Sequence, residues 1–329
     1  MYIFSQNGHL MTMEKKTGEI NLRKAAMIGC GLVGSASAFS LMQSGLFSEM
    51  VLIDADRDRA EGEAMDISHG IPFAHPMKIY AGDYADIADA SIIIITAGAN
   101  QKPDETRLDL VHKNVKIFED IMGKIVEHDC KGILLIVANP VDILTYTALQ
   151  LTGFPSNRVI GSGTVLDTAR LKFELGEHLA VDSRSIHAFI MGEHGDSEIA
   201  AWSSANVSGI PIHRFCEMRG YCDHDGAMDR IAETVKNSAY EIIEKKQATN
   251  YGIAMAIRRI CEAIVRDEKS ILPVSGLMEG EYGIENVALS MPAIIGKDGI
   301  EKKVPVSLSW EEQEALKESA KTLREILEQ

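Results

Sequence analysis

The sequence predicts an α/β protein with a doubly wound parallel sheet in its first half and an α+β domain in its second half. Apolar runs with the composition of buried strands lie at 24–28, 50–53, 91–96 and 133–137. Helical patterns separate these runs, for example at 32–44 and 57–69. Strands that alternate with helices form parallel sheets with right-handed crossovers.

The pattern changes after about residue 162. Long helical stretches remain at 164–177, 227–246 and 253–266. Between residues 271 and 304 we expect short antiparallel strands separated by glycine and proline. Ser309 is a suitable N-cap for an amphipathic helix over 310–327. We therefore expect three parts: an N-terminal extension over 1–22, a dinucleotide-binding domain over 23–161 and an α+β substrate domain over 162–329.

Composition excludes several classes of function. The 329 residues carry a formal net charge of −15, which disfavours nucleic acid and anionic membrane surfaces as partners. No apolar run reaches the roughly 20 residues of a membrane helix. The N-terminus lacks the basic and then apolar pattern of a secretory leader. Five scattered cysteines show no metal-ligand spacing, so we expect no metal site and free thiols in the cytoplasm.

A glycine-rich loop follows the first predicted strand. Gly29, Gly31 and Gly34 fit G-x-G-x-x-G, which allows a tight turn, the close approach of a pyrophosphate and close helix–strand packing. The N–H groups at the start of the next helix attract phosphate. Asp54 ends the second strand, where a carboxylate binds ribose hydroxyls and repels a 2′-phosphate. We predict a Rossmann domain that prefers NAD to NADP; the alternative is that Asp54 only caps the next helix.

Four side chains match the needs of hydride exchange with a hydroxy acid. That reaction needs a base with a pKa near neutrality, a group that orients the base, and cations for the carboxylate and the carbonyl. His194 lies between glycines after a predicted strand at 186–190. Asp167 and Arg170 are spaced to project from one face of a helix. Arg107 ends a long polar loop after the strand at 91–96.

From about residue 23 to its end, the chain resembles the lactate/malate dehydrogenase family. Six segments carry the resemblance in the family's order: the glycine loop, 97–107, 137–142, the helix with Asp167 and Arg170, 192–196 and 248–252. The resemblance implies the NAD-dependent oxidation of an L-2-hydroxy acid. It also implies a homo-oligomer, and a tetramer if the chain is similar to the bacterial lactate enzymes.

The resemblance gives each matching residue a role. His194 would exchange a proton with the substrate, Asp167 would orient its ring, and Arg170 would bind the substrate carboxylate. Arg107 would polarise the carbonyl when its loop closes. Asn139 would help to orient the nicotinamide and the substrate oxygen. Further cofactor contacts would come from Leu32, Val33, Gly98, Ala99 and Ile253, the last of them against the nicotinamide ring.

Gln101 lies where the family's residue faces the substrate side chain. Malate dehydrogenases place an arginine there, and lactate dehydrogenases a glutamine. An uncharged amide leaves the second carboxylate of oxaloacetate unpaired in a closed site, which is costly. Thr249 matches a position that limits side-chain volume. The predicted substrate is therefore L-lactate, followed by a longer acid, as in the hydroxyisocaproate dehydrogenases, and then by malate.

An effector site is also implied, because many bacterial lactate dehydrogenases are tetramers activated by fructose 1,6-bisphosphate. The matching positions, at a subunit interface, are Lys172 and His187. The family usually has arginine where Lys172 stands. Lysine keeps the positive charge but cannot make the bidentate contact of a guanidinium group. We therefore expect activation to be weakened or absent. The alternative for His187 is a half-buried strand residue.

Overall fold

The computed structural model describes residues 3–4, 10–11, 20–99, 107–221 and 223–328. In the predicted N-terminal extension, two short strands pair antiparallel: β1 (Ile3–Phe4) and β2 (Leu10–Met11). None of the helices in these described ranges is long and apolar enough to cross a membrane.

The first half of the chain forms a parallel sheet. Its six strands are β3 (Asn21–Ile28), β4 (Glu49–Ile53), β5 (Lys78–Ala81), β6 (Ala90–Ile95), β7 (Ile133–Ile136) and β8 (Val159–Gly161). Their order in the sheet is β8-β7-β6-β3-β4-β5. The direction of winding reverses between β3 and β6, which is where ligands bind beyond the carboxyl ends of the strands in folds of this kind.

Helices cover both faces of this sheet. They are α1 (Leu32–Ser44), α2 (Arg57–His69), α3 (Arg107–Glu127) and α4 (Val141–Thr152). Successive residues of β6 point to opposite faces: Ile94 packs in a core cluster with Leu41 of α1, and Ile93 in a second cluster with Phe118 of α3. Helices therefore cover both faces of these strands, and this is why the apolar runs in the strands are continuous. The predicted bounds of α1 and α2 are confirmed.

The second half combines helices with short and long antiparallel strands. Its helices are α5 (Val165–Leu179), α6 (Ile212–Met218), α7 (His224–Lys246), α8 (Tyr251–Val265) and α9 (Trp310–Leu327). Its short strands are β9 (Ile186–His187), β10 (Ile190–Met191), β11 (Ile199–Ala200), β12 (Asn206–Val207) and β13 (Ile210–Pro211). Its longer strands are β14 (Ser270–Glu279), β15 (Glu285–Gly296) and β16 (Gly299–Lys303).

The start of α9 follows the prediction. The side chain of Ser309 accepts a hydrogen bond from the backbone N–H of Glu312, and the Glu312 side chain accepts one from the backbone N–H of Ser309. This reciprocal capping box satisfies two N–H groups that the helix itself leaves unpaired.

The expectation of short strands between 271 and 304 was wrong, although their antiparallel pairing is confirmed. Proline does not interrupt β14 or β15, because Pro273 and Pro292 are directly opposed in the ladder. Their carbonyls accept from Thr164 and Val304, outside the pair. A non-hydrogen-bonded pair of this kind needs no N–H from either residue.

These strands also extend the first sheet instead of forming a separate one. Ser275 of β14 pairs with Gly161 of β8, so a nine-stranded sheet runs in the order β16-β15-β14-β8-β7-β6-β3-β4-β5. The division of the chain at 161–162 stays a prediction, since one sheet crosses it. The single strand expected at 186–190 was wrong: β9 pairs with β12 and β10 with β11.

Candidate active site

Helix α5 is fastened to strand β10 by two threonine side chains. The hydroxyl of Thr164 donates to the carbonyl oxygen of Ile190 over 2.6 Å. The hydroxyl of Thr168 accepts from the N–H of Ile190 over 2.9 Å. Asp167 lies between these threonines in the sequence, three positions after Thr164 and thus on a neighbouring part of the helix surface. The helix that carries Asp167 is therefore held against the strand that leads into the 192–196 segment.

His194, Asp167 and Arg170 are in direct contact. His194 Nδ1 lies 2.5 Å from Asp167 Oδ2, and Arg170 Nη1 donates to Asp167 Oδ1 over 2.8 Å. The Asp167 side chain is only 3% exposed, against 15% for Arg170 and 24% for His194. Both oxygens of a buried carboxylate are thus paired with groups that carry or can carry positive charge.

This pairing controls the protonation of His194. Burial alone would lower the pKa of its imidazole, but the charge of Asp167 and its hydrogen bond outweigh burial and raise that pKa to about 9. Burial likewise opposes ionisation of Asp167, but His194 and Arg170 hold the pKa of this carboxyl below its ordinary value. His194 therefore holds a proton at neutral pH. Because Nδ1 faces Asp167, Nε2 is the ring nitrogen that can face a substrate.

The backbone before His194 is anchored to two other elements. Gly192 exchanges two hydrogen bonds with Ser290 of β15, and the N–H of Glu193 donates to the Ser319 hydroxyl of α9 over 2.9 Å. Gly192 has φ +93°, and a Cβ here would lie 2.9 Å from the Ser319 oxygen. Only glycine adopts this conformation without strain. Sequence reasoning assigned no role to Ser319, since a serine in an amphipathic helix is unremarkable.

Asp142 is a second carboxylate that sequence reasoning missed. It is buried in the first turn of α4 and accepts from the backbone N–H of His194 over 2.7 Å. The hydroxyl of Ser275 donates to its other oxygen over 2.6 Å. Burial raises the pKa of Asp142 to about 6, although both hydrogen bonds and the charge of His194 act in the opposite direction. In the sequence, this residue appears only as an acidic residue at a helix start.

Glu198 is a third carboxylate at the site, and it too was missed. One ligand atom each of Asp167, His194 and Glu198 lies within 4.8 Å of the other two. A histidine and two carboxylates are ligand types that Zn²⁺ accepts. Here, however, both oxygens of Asp167 are already bonded to His194 and Arg170, so an ion would have to displace one of them. The arrangement suits proton exchange better than metal binding.

The glycine-rich loop has the geometry that a dinucleotide needs. Gly29 has φ +100°, and a Cβ there would lie 2.5 Å from Ala97 N at the end of β6. A Cβ on Gly34 would overlap the carbonyl oxygen of Gly29. At Gly31, by contrast, a Cβ would meet no atom within 4 Å, and no side chain caps α1. Open space therefore lies in front of a helix N-terminus, which is what a pyrophosphate requires.

Asp54 lies beside this loop. One carboxylate oxygen accepts from the N–H of Cys30 over 2.6 Å, and the other from the N–H of Asp56 over 2.9 Å. The alternative that Asp54 caps the next helix is wrong, because the N-cap of α2 is Asp56, which accepts from Arg59. Asp54 remains partly exposed, so its oxygens can accept further hydrogen bonds from ribose hydroxyls.

A buried asparagine joins the loop that follows β6 to the loop that follows β7. Asn114 of α3 accepts from the N–H of Ala99 over 2.7 Å and donates to the carbonyl oxygen of Asn139 over 2.7 Å. It also contacts the position of Gly98, where a Cβ would lie 3.6 Å from its amide. The segments after β6 and β7 therefore have a fixed spacing. The Asn139 side chain is exposed, and the bond from Asn139 to Pro140 is cis.

The structure gives the exposure of four other predicted cofactor and substrate residues. Leu32 is exposed and Val33 partly buried in the first turn of α1. Ile253 is partly buried in α8 and packs against the core cluster that includes β3 and β6. Thr249 is partly exposed in the segment between α7 and α8.

Two predicted residues at the 97–107 segment have less structural description. Gln101 lies outside the described residues. Arg107 is the first residue of α3, not the last residue of a loop as the sequence suggested, and only its backbone is described.

At the predicted effector site, Lys172 is partly buried in α5. His187 is exposed in β9, so its half-buried alternative was wrong.

Comparison with protein families matches both halves of the chain. The NAD binding domain of lactate/malate dehydrogenase matches residues 23–161, and the alpha/beta C-terminal domain of the same enzymes matches residues 164–329. The chain belongs to the lactate/malate dehydrogenase family. Its N-terminal half is the NAD binding domain of this family, and the predicted cofactor and fold class are confirmed.

Curated members of the family share about half of their residues with this chain. The L-lactate dehydrogenase of Acetivibrio thermocellus is 54% identical over 93% of this chain and 96% of its own length. L-lactate dehydrogenase 1 of Clostridium acetobutylicum is 52% identical over 93% and 97%. Among solved structures, the minor L-lactate dehydrogenase of Enterococcus mundtii in the ligands-bound form superimposes with a TM-score of 0.91. It is 41% identical and the match covers 93% of this chain and 98% of that one.

Proposed function

We propose that this chain is an NAD-dependent L-lactate dehydrogenase that interconverts L-lactate and pyruvate. The observation that carries the proposal is the contact cluster of His194, Asp167 and Arg170, with its 2.5 and 2.8 Å contacts, in a protein with an NAD-binding domain. The names of the relatives that are 50–54% identical support lactate as the substrate.

When bound, the cofactor would supply the hydride acceptor for oxidation of lactate at C2 and the hydride donor for reduction of pyruvate. The groups that would hold it are the N–H groups of the Gly29–Gly34 loop and the carboxylate of Asp54. In the direction of reduction, His194 donates the proton on Nε2 to the keto oxygen; in oxidation, it accepts the hydroxyl proton. Asp167 stabilises the protonated ring and fixes its orientation.

Arg170 binds the substrate carboxylate. One of its nitrogens, Nη1, bonds Asp167, and the other donors of the guanidinium stay available for a bidentate contact. Because Asp167 holds this side chain, the cation is oriented before the substrate arrives, which lowers the entropic cost of binding. Arg107 would polarise the carbonyl, and Asn139 would orient the substrate oxygen and the nicotinamide.

A histidine substitution tests these roles. His194→Asn should lower turnover of pyruvate by at least about 1,000-fold, because it removes both the acid and the cation. Binding of NADH, followed by its fluorescence, should change less than about threefold. His69→Asn, which replaces an exposed histidine at the end of α2, is the matched control and should leave both quantities unchanged. Near-normal turnover in His194→Asn would refute the mechanism.

The choice of hydroxy acid rests on Gln101 and Thr249 together with the relatives. The uncharged amide of Gln101 suits the methyl group of pyruvate, and Thr249 limits the volume beside it. A panel of pyruvate, 2-ketoisocaproate and oxaloacetate, compared by kcat/KM with NADH, tests this choice. Pyruvate should be best; preference for 2-ketoisocaproate or oxaloacetate would move the assignment to a hydroxyisocaproate or malate dehydrogenase.

We also propose an anionic effector, fructose 1,6-bisphosphate, at Lys172 and His187. Burial lowers the pKa of Lys172, and no ion pair to its ammonium occurs among the residues that the structure describes. A phosphate nearby would therefore stabilise the charged lysine. The sugar bisphosphate should lower the pyruvate concentration at half-maximal rate, less than it would with arginine in place of Lys172, and more strongly at pH 6 than at pH 8. No response at either pH would remove the proposal.

The assembly is proposed to be a homo-oligomer, a tetramer by resemblance. Large apolar side chains stay exposed on two helices that pack together, with Phe39 of α1 49% and Met255 of α8 57% exposed. Such side chains are common at subunit interfaces. We propose the cytoplasm as the location, where the buried free thiols of Cys30, Cys130, Cys216 and Cys261 stay reduced. Light scattering of the purified protein tests the tetramer.

A further inference from the structure

Glu198 lies immediately beside the proton-exchanging pair. Its N–H donates to the carbonyl of Gly195, which closes a turn directly after His194. A carboxylate oxygen of Glu198 lies within 4.8 Å of both an oxygen of Asp167 and a ring nitrogen of His194. Among the described residues, its carboxylate makes no hydrogen bond and no ion pair, and it is only partly exposed. Its charge therefore acts on the site through space.

Four charged groups act on this carboxylate from three elements. Asp167 and Arg170 belong to α5, His194 belongs to the turn itself, and Lys236 belongs to α7. Asp142, which accepts from the backbone N–H of His194, adds a negative charge that Lys236 offsets. With Asp167, Arg170 and protonated His194 included, the five groups carry one net positive charge. An ionised Glu198 cancels that charge, whereas a protonated Glu198 leaves it in place for an anion.

We propose that Glu198 is a proton-controlled gate for the substrate anion: the keto acid binds tightly when this carboxyl is protonated and weakly when it is ionised. The proposal rests on the proposed function of His194 and Arg170. A keto acid held by Arg170 would bring its own carboxylate close to Glu198. Two like charges about 5 to 6 Å apart in a partly buried site repel strongly enough to weaken binding by at least about tenfold.

The pKa of Glu198 lies in the pH range in which the proposed gate would respond. Burial and the neighbouring charge of Asp167 raise the pKa of its carboxyl to about 8, against the opposing charges of His194, Arg170 and Lys236. His194 itself has a pKa of about 9. Above neutral pH, the anion should therefore bind with uptake of protons by two groups, His194 and Glu198, because each must be protonated in the tight complex.

Proton uptake on binding of oxamate, an unreactive isostere of pyruvate, measures this directly. Oxamate is titrated into the NADH complex at pH 9 by calorimetry in two buffers of different ionisation enthalpy. We compare the natural protein with Glu198→Gln, which keeps the shape and removes the titration. Glu177→Gln, which removes an exposed carboxylate of α5, is the matched control.

Tenfold weaker binding to the ionised form raises the pKa of Glu198 by about one in the complex, from about 8 to about 9. At pH 9, the natural protein and the control should therefore take up at least about 0.4 proton more than Glu198→Gln. The ratio of oxamate dissociation constants, natural protein over Glu198→Gln, should also rise about tenfold from pH 6.5 to pH 9.5. A purely structural role would shift the constants equally at all pH values. Equal proton uptake in the natural protein and Glu198→Gln would overturn the gate.

Two other outcomes of the oxamate experiment have a different meaning. If the NADH complex of the natural protein does not bind oxamate at any pH, the proposed function fails and not only the gate. If Glu198→Gln does not fold, as judged by its melting temperature, Glu198→Asp replaces it. The shorter side chain withdraws the charge from the site, so the uptake should fall between those of the other two proteins. Unchanged uptake in Glu198→Asp, together with uptake of less than 0.6 proton by the natural protein, would overturn the proposal.

Discussion

Replacing Asp167 by asparagine should deprive His194 of its proton at physiological pH. The pKa of His194 is about 9, compared with 6.5 for an ordinary histidine, and burial acts to lower it. The difference corresponds to at least about 3 kcal/mol of stabilisation of the protonated ring, supplied mainly by Asp167. Asparagine keeps the shape and an acceptor oxygen but removes the charge. The pKa should therefore fall to about 6.5 or below.

The consequence for catalysis follows from the protonated fraction. At pH 7.5, a pKa of about 9 leaves about 97% of His194 protonated, and a pKa of about 6.5 leaves only about 10%. Reduction of pyruvate needs the protonated ring, so kcat/KM should fall about tenfold from this effect alone. Loss of orientation by Asp167 should lower it further.

The assay is the pH profile of kcat/KM for pyruvate between pH 5.5 and 10. In the natural protein, the descending limb should begin near 8, where Glu198 loses its proton, and steepen near 9, where His194 does. In Asp167→Asn, it should move to below 7. Asp182→Asn is the control, because it removes an exposed carboxylate bonded to Arg184 and should leave the limb in place. A limb that stays between 8 and 9 in Asp167→Asn would show that Asp167 does not set the protonation of His194.

Three other perturbations have defined outcomes. Arg170→Lys should raise the KM for pyruvate at least tenfold and leave NADH binding unchanged, because lysine cannot contact Asp167 and a carboxylate as a fork does; equal losses for both ligands would contradict this role. Gly31→Val should fold normally, since its Cβ has open space, but should weaken NADH binding at least tenfold, whereas Gly29→Ala should lower the melting temperature; normal NADH affinity in Gly31→Val would argue against a pyrophosphate there. Loss of the His194 contribution should lower the free energy of unfolding by up to about 3 kcal/mol between about pH 6.5 and 9, because the raised pKa of His194 stabilises the fold fully below 6.5 and this contribution is lost through 9; urea titrations should show a smaller fall in His194→Asn than in the natural protein.

Local rules explain what could be predicted of the fold. Helices α1, α2 and α9 begin and end where their helical patterns placed them, with Ser309 also marking the start of α9, because these features act over a few residues. The strands β14 and β15 were misjudged because proline usually ends a strand. The two prolines are tolerated because Pro273 pairs with Pro292 across the ladder, and no local sequence pattern predicts that pairing.

The site residues likewise fall into those that can be recognised in the sequence and those that cannot. Its glycine loop, Asp54 and the spacing of Asp167 and Arg170 are recognisable in the sequence because each has a chemical reason within a short segment. Asn114 and Asp142 are not, because asparagine and aspartate occur throughout any soluble chain. Their importance appears only when a buried polar group is seen to hold a specific backbone atom.

Short segments of the sequence are enough to identify the chemistry available to this protein: a dinucleotide loop, a histidine with a carboxylate partner, and an arginine for an anion. How that histidine is held and charged depends on its tertiary contacts. Its N–H bonds Asp142, 52 residues away, and the N–H before it bonds Ser319, 126 residues away. Glu198 reaches Asp167 across the same turn. Contacts between distant segments, and the burial that strengthens their charges, have no representation in local sequence.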